Sequence, residues 1–174
     1  MLKSRDYNFS IELKESLNTS SEQSIRMLEI KIKKLCDDAI IPNYSHKGDA
    51  GVDIYSIKDY LLQPFARVLV STGISIAIPQ SYEAQIRPKS GLALKKGISI
   101  VNTPGTIDSG YMGEIGVIAI NLGNEDVKIG KGEKIAQMVF NKIEEACFKE
   151  VEDLDDTSRG EGGFGSTGLK DNKI

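Results

Sequence analysis

The chain reads as an all-β protein, a β-barrel or two-sheet jelly roll. Two observations carry that expectation. Short segments of alternating polar and apolar residues recur along the sequence, and glycine or proline interrupts the intervals between them. Alternation with a period of two marks a strand with one buried face, and many short strands at regular spacing mark a sandwich or barrel. The one stretch with room for a helix is residues 91–96 (GLALKK), one or two turns long.

Residues 1–26 read as a separate extension, because residues 18–24 (NTSSEQS) are polar, serine-rich and linker-like. The strand pattern starts after Met27, with residues 29–33 (EIKIK) alternating cleanly. Further strands are expected at residues 68–70, 73–78, 82–87, 97–101, 114–120, 127–129 and 135–140. Gly73, Pro79, Pro88, Gly91, Pro104, Gly105, Gly123, Gly130 and Gly132 are among the residues that separate them. The barrel is assigned to residues 27–148. Residues 149–174 form an acidic connector and a glycine-rich tail, five of the seven residues from 150 to 156 being carboxylates.

Bulk properties narrow the class. A chain of 174 residues, 40% hydrophobic and 27% charged, suits one soluble domain with an ordinary core. A formal net charge of −3 lacks the basic footprint of a nucleic-acid binder, so no nucleic-acid partner is expected. No apolar run approaches the ~20 residues of a membrane span, so no membrane partner is expected either. Cys36 and Cys147 stand alone, as free thiols in a reducing compartment do, and a cytoplasmic location is expected. His46 is the sole histidine, which leaves a zinc site or a Ser-His-Asp triad without parts.

Four segments carry chemistry. Glycine fills five of the nine positions from 160 to 168, around Arg159 and Phe164. Such a tail offers a cation, an aromatic ring and free backbone N–H groups to an anionic, ring-bearing ligand. It approaches a phosphate-binding P-loop but has Ser166 where that loop needs lysine. Residues 87–93 (RPKSGLA) place two cations beside a hydroxyl and a turn, a fair anion site. Residues 102–113 (NTPGTIDSGYMG) place Asp108 and Tyr111 after a Pro104–Gly105 turn. Asp108 could act as general base toward a water or merely cap the turn. Asp49 and Asp53 could sit near a hydrated metal, or belong to a turn entering a strand.

The order of these pieces is more specific than any one of them. Residues 50–53 (AGVD), 87–93, 102–113, 132–137 (GEKIAQ) and 159–168 resemble the five motifs of the homotrimeric deoxyuridine triphosphatase (dUTPase) family, in family order. The resemblance runs from about residue 27 to residue 168. It implies a dUTPase-like jelly-roll β-barrel with a flexible C-terminal arm, assembled as a homotrimer with active sites shared between subunits. It implies hydrolysis of dUTP to dUMP and pyrophosphate, which lowers dUTP and supplies dUMP for thymidylate synthesis, with Mg²⁺ bound to the triphosphate. Asp108 matches the general base and Tyr111 the ring that packs on the deoxyribose. Asn102 matches the uracil reader, with main-chain groups including Gly116 beside it, and Thr106 and Ile107 line the sugar pocket. Lys89, Ser90 and Gly91 match the phosphate turn, and Gln137 a phosphate-side polar group. Asp53 matches a carboxylate that touches Mg²⁺ through water. In the tail, Arg159 matches the γ-phosphate ligand and Phe164 the ring that stacks on uracil. Gly165, Ser166 and Thr167 complete the tail's share of the substrate contacts.

Lys89 departs from the arginine common in the family, keeping the charge and losing the planar fork. Met112 stands where a polar residue is frequent. The nearest enzyme rival, deoxycytidine triphosphate deaminase, needs a catalytic glutamate five residues after Gly113. That position is Ile118, which shuttles no protons. A third reading is a nucleotide-gated interaction protein, whose N-terminal arm contacts a partner.

Overall fold

The computed structural model describes residues 27–166. The extension 1–26 and Thr167, with the residues after it, lie outside that range.

Eleven strands and one short helix make up the described residues. In chain order they are β1 (Lys31–Lys34), β2 (Val52–Tyr55), β3 (Tyr60–Leu62), β4 (Arg67–Ser71), β5 (Ile74–Ala77), β6 (Tyr82–Pro88), α1 (Ser90–Lys96), β7 (Ile98–Ile100), β8 (Gly105–Ile107), β9 (Gly116–Asn121), β10 (Val127–Ile129) and β11 (Lys134–Lys142). All strand pairs are antiparallel. A four-stranded sheet runs β2-β11-β6-β8 and a three-stranded sheet β4-β9-β7. The ribbons β1-β5 and β3-β10 complete the set. The ladders do not close into one continuous barrel, and the arrangement is jelly-roll-like.

The alternation seen in the sequence is the alternation of burial. Along β9, Val117, Ala119 and Asn121 point inward, while Gly116, Ile118 and Ile120 face outward. Inner faces of the sheets share one core, in which Ile54, Val70, Ile76, Ile86, Ile100, Val117 and Met138 meet. β-Branched side chains dominate it, as suits residues that pack well on a pleated surface. Burying each such side chain contributes roughly 1.5–3 kcal/mol.

Two strands were not expected from the sequence. β3 (YLL) carries a leucine on its exposed face and β8 (GTI) opens on a buried glycine, so neither alternates polar with apolar residues as the equally short β7 (ISI) and β10 (VKI) do. β8 follows directly on the Pro104 turn, and it matters for the site because it adds to the edge of β6. The register sets Ile107 against Ala84, Thr106 against Gln85 and Gly105 against Ile86.

The compact unit ends at Lys142, and a second unit begins at Ile143. In that second unit, Phe148, Leu154 and Phe164 are almost fully exposed.

Candidate functional site

A cleft of about 400 Å³ opens between the three-stranded sheet and the loop that follows β8. Asn102, Thr106, Ile107, Asp108, Tyr111 and Gly116 line it, six of the residues singled out in the sequence. Leu69, Ser71, Glu114 and Ile118 complete the lining. Sequence reasoning had not placed Leu69 and Ser71, which arrive by strand pairing. In the β4–β9 register Leu69 stands opposite Ile118 and Ser71 opposite Gly116. Leu69 closes over Gly116, where an added Cβ would come 2.6 Å from Leu69 Cδ1.

Local bonds shape the rim. The Tyr111 N–H donates to the carbonyl of Asp108 at 3.0 Å, which folds residues 108–111 into a turn. The Tyr111 hydroxyl donates to the carbonyl of Glu114 at 3.0 Å. Its ring lies over Gly113, where a Cβ would come 2.5 Å from the hydroxyl oxygen, so a side chain there would displace the ring. Asp108 itself is exposed on the cleft.

A second cleft, of about 420 Å³, is lined by Lys89, Gly91, Leu92, Lys95, Lys96, Glu133 and Lys134. It shares no residue with the first. Lys89 and Gly91 were expected here; Lys95, Lys96 and Lys134 add three more cations. Ser90 opens α1 directly after Lys89. Gln137 stands on β11 between Asp53 of β2 and Arg87 of β6.

Asp53 is the electrostatic centre of this side. Only 5% of it is exposed, and both carboxylate oxygens are engaged. Lys89 Nζ donates to Oδ1. Lys134 Nζ lies 2.7 Å from Oδ2, to which Ser45 also donates at 3.2 Å. Burial pushes the Asp53 carboxyl up, but Lys134 and Lys89 together outweigh it and hold it below the usual carboxylate range. In return, the bond to Asp53 raises Lys134 above the usual lysine range, against a smaller effect of desolvation. Glu133 repeats the pattern. Burial pushes it up, and Lys96 at 2.6 Å with the Gly130 N–H brings it below its ordinary value.

Among the described residues no three His, Cys, Asp or Glu side chains come together as a metal cage. Asp53 is the buried carboxylate on this side, with a lysine on each oxygen.

In the second unit, Arg159 Nε donates to the carbonyl of Gly162 at 2.9 Å. Phe164 and Gly165 both have left-handed φ, 46° and 94°. The Ser166 N–H donates to the carbonyl of Gly163 at 3.0 Å. Thr167 lies outside the described residues.

The class these features define is a jelly-roll-like domain with a largely apolar cleft edged by Asn102 and Asp108 and a separate lysine-lined cleft. Comparison with known proteins gives the family. The dUTPase family profile matches residues 37–168. The deoxyuridine 5'-triphosphate nucleotidohydrolase of Clostridium kluyveri is 55% identical over 141 residues, 81% of this chain and 99% of the relative. That of Clostridioides difficile is 54% identical over 143 residues, 82% of this chain and all of the relative. Among solved structures, the dUTPase of Staphylococcus bacteriophage 80alpha with dUPNHPP is 30% identical. The match covers 81% of this chain and 99% of that one, with a TM-score of 0.76. A mutant dUTPase from phage phi11 of S. aureus, described as coordinating a structural Mg(II) ion, is 25% identical. It covers 74% and 99% of the two chains, with a TM-score of 0.69. The chain belongs to the dUTPase family.

Proposed function

We infer that the protein is a dUTP diphosphatase, an enzyme that hydrolyses dUTP to dUMP and pyrophosphate. The observation that carries this reading is the gathering of Asn102, Thr106, Ile107, Asp108, Tyr111 and Gly116 around one cleft, in a chain of this family. Uracil is read by Asn102 and by main-chain groups at Gly116. The deoxyribose lies against Tyr111, with Thr106 and Ile107 beside it. Asp108 takes a proton from the water that attacks the α-phosphate, and pyrophosphate departs. Positioned proton transfer of this kind typically contributes 10²–10⁴-fold.

The triphosphate is met by Lys89, Ser90, Gly91 and Gln137. A Mg²⁺ ion carried on the triphosphate would supply neutralisation of its oxygens, and Asp53 would be the residue to meet that ion, through water. Arg159 pairs with the γ-phosphate, Phe164 stacks on uracil, and Gly165, Ser166 and Thr167 add further contacts. Base stacking is worth ~1–3 kcal/mol, while ordering each tail residue costs ~1–2 kcal/mol. Closure of the tail is therefore linked to the triphosphate. On this reading residues 27–148 are the barrel and residues 149–174 the connector and lid. The separation of the two clefts within one chain favours a homotrimer in which each site is shared. A cytoplasmic location fits the free thiols.

The deaminase reading fails at Ile118, which forms an apolar wall of the cleft. One assay separates the candidates: the protein is incubated with Mg²⁺ and either dUTP or dCTP. The expected products are dUMP and pyrophosphate from dUTP alone. Conversion of dCTP to dUTP would establish a deaminase, and turnover of neither would leave a binding protein.

A further inference from the structure

The loop that carries Tyr111 is held from outside by a single short segment. Residues 72–75, which run from the end of β4 into the start of β5, send four hydrogen bonds to residues 112–115 or receive them. The Gly73 N–H donates to Glu114 Oε1 at 2.8 Å. Ser75 Oγ donates to the carbonyl of Met112 at 2.7 Å. Thr72 Oγ1 donates to the carbonyl of Ile115. The Ile115 N–H donates to the carbonyl of Ile74 at 2.8 Å. Thr72, Ser75 and Ile115 are buried.

The segment is itself backed. The Leu35 N–H donates to the carbonyl of Gly73 at 2.7 Å. Gly73 has a left-handed φ of 67°, and a Cβ there would lie 3.0 Å from both Cys36 Sγ and Ala39 Cβ. The loop thus leans on a wall that has no space to retreat into.

Rejecting a ribose by contact demands such a wall. The 2′-hydroxyl is one oxygen atom, and a ring that yields by about an ångström admits it. Tyr111 is 46% exposed, so packing alone does not immobilise it. Its hydroxyl is tied to the carbonyl of Glu114, and the Glu114 side chain is tied to the Gly73 backbone. We propose that Glu114, Ser75 and Thr72 are positioning residues that fix Tyr111 at the sugar subsite and thereby set discrimination between deoxyribose and ribose triphosphates. The inference rests on the assignment of Tyr111 to the sugar.

The test is the ratio of kcat/KM for dUTP to that for UTP, with thermal unfolding measured alongside. Ser75→Ala and Glu114→Ala are each expected to lower the ratio by roughly tenfold, mainly through faster turnover of UTP. Glu114→Gln keeps an oxygen that accepts from the Gly73 N–H and is expected to restore the ratio. Tyr111→Ala serves as reference and is expected to lower it most. If Ser75→Ala and Glu114→Ala reduce both substrates equally, their role is structural and the inference is overturned. If Tyr111→Ala also leaves the ratio unchanged, the sugar-subsite assignment falls and takes the inference with it. A fall in the ratio for Tyr111→Ala alone overturns only the brace.

Discussion

The two clefts are held by different forces. Around the cleft lined by Asp108 and Tyr111, proposed above for the nucleoside, backbone carbonyls and N–H groups are bonded across strands, and side chains close over glycines. Leu69 covers Gly116 and the Tyr111 ring covers Gly113. Around the lysine-lined cleft, long side chains are held by charge: Lys89 and Lys134 on Asp53, and Lys96 on Glu133. A base and a sugar differ from their competitors by single atoms, so a wall that reads them has to be stiff. A triphosphate is recognised by charge, and ammonium groups on flexible stems can change partners as it arrives.

Three changes sharpen that contrast. The largest effect is expected at the nucleoside side. Asp108→Asn removes the proton acceptor and keeps the shape, so kcat should fall by about 10²–10⁴-fold. The affinity for dUTP, measured by calorimetry, should stay within about threefold. Loss of binding in step with turnover would mean that Asp108 holds substrate.

The next effect belongs to the charge-held side. Asp53→Ala leaves two ammonium groups without their buried partner, which should lower the midpoint of urea unfolding. Its pH dependence follows from the shifts. The depressed Asp53 stabilises the fold fully above about pH 5, and that contribution is lost as pH falls through its lowered folded value. The raised Lys134 contributes fully below the ordinary lysine range and loses its share as pH rises past its raised folded value. Between ~pH 5 and ~pH 9 the wild-type advantage over Asp53→Ala should be flat, and it should shrink in acid. An advantage that persists unchanged in acid would remove Asp53 from the account of stability.

The smallest effect is steric. Gly116→Ala brings a methyl group against Leu69, but Leu69 is largely exposed and free to swing toward the cleft. KM for dUTP should rise by roughly tenfold with little change in melting temperature. A large drop in melting temperature instead would show that this wall carries the fold as well as the site.

The lining of the first cleft was legible where its residues are neighbours in sequence. Asn102, Thr106, Asp108 and Tyr111 fall in one segment with its turn residues, so their convergence needed no tertiary information. Leu69 and Ser71 reach the same cleft only because β4 pairs with β9, and no local signal marks that register. The union of Asp53 with Lys89 and Lys134 likewise needs β11 to lie beside β2. Strands such as β9 and β11 announced themselves by alternation. β3 and β8 did not, because neither YLL nor GTI alternates polar with apolar residues.

Hydrolysis of dUTP in water enriched with oxygen-18 reads the proposed chemistry most directly. The heavy atom is expected in the phosphate of dUMP, with the released pyrophosphate unlabelled. Label in the pyrophosphate, or orthophosphate released in its place, would contradict attack of water on the α-phosphate.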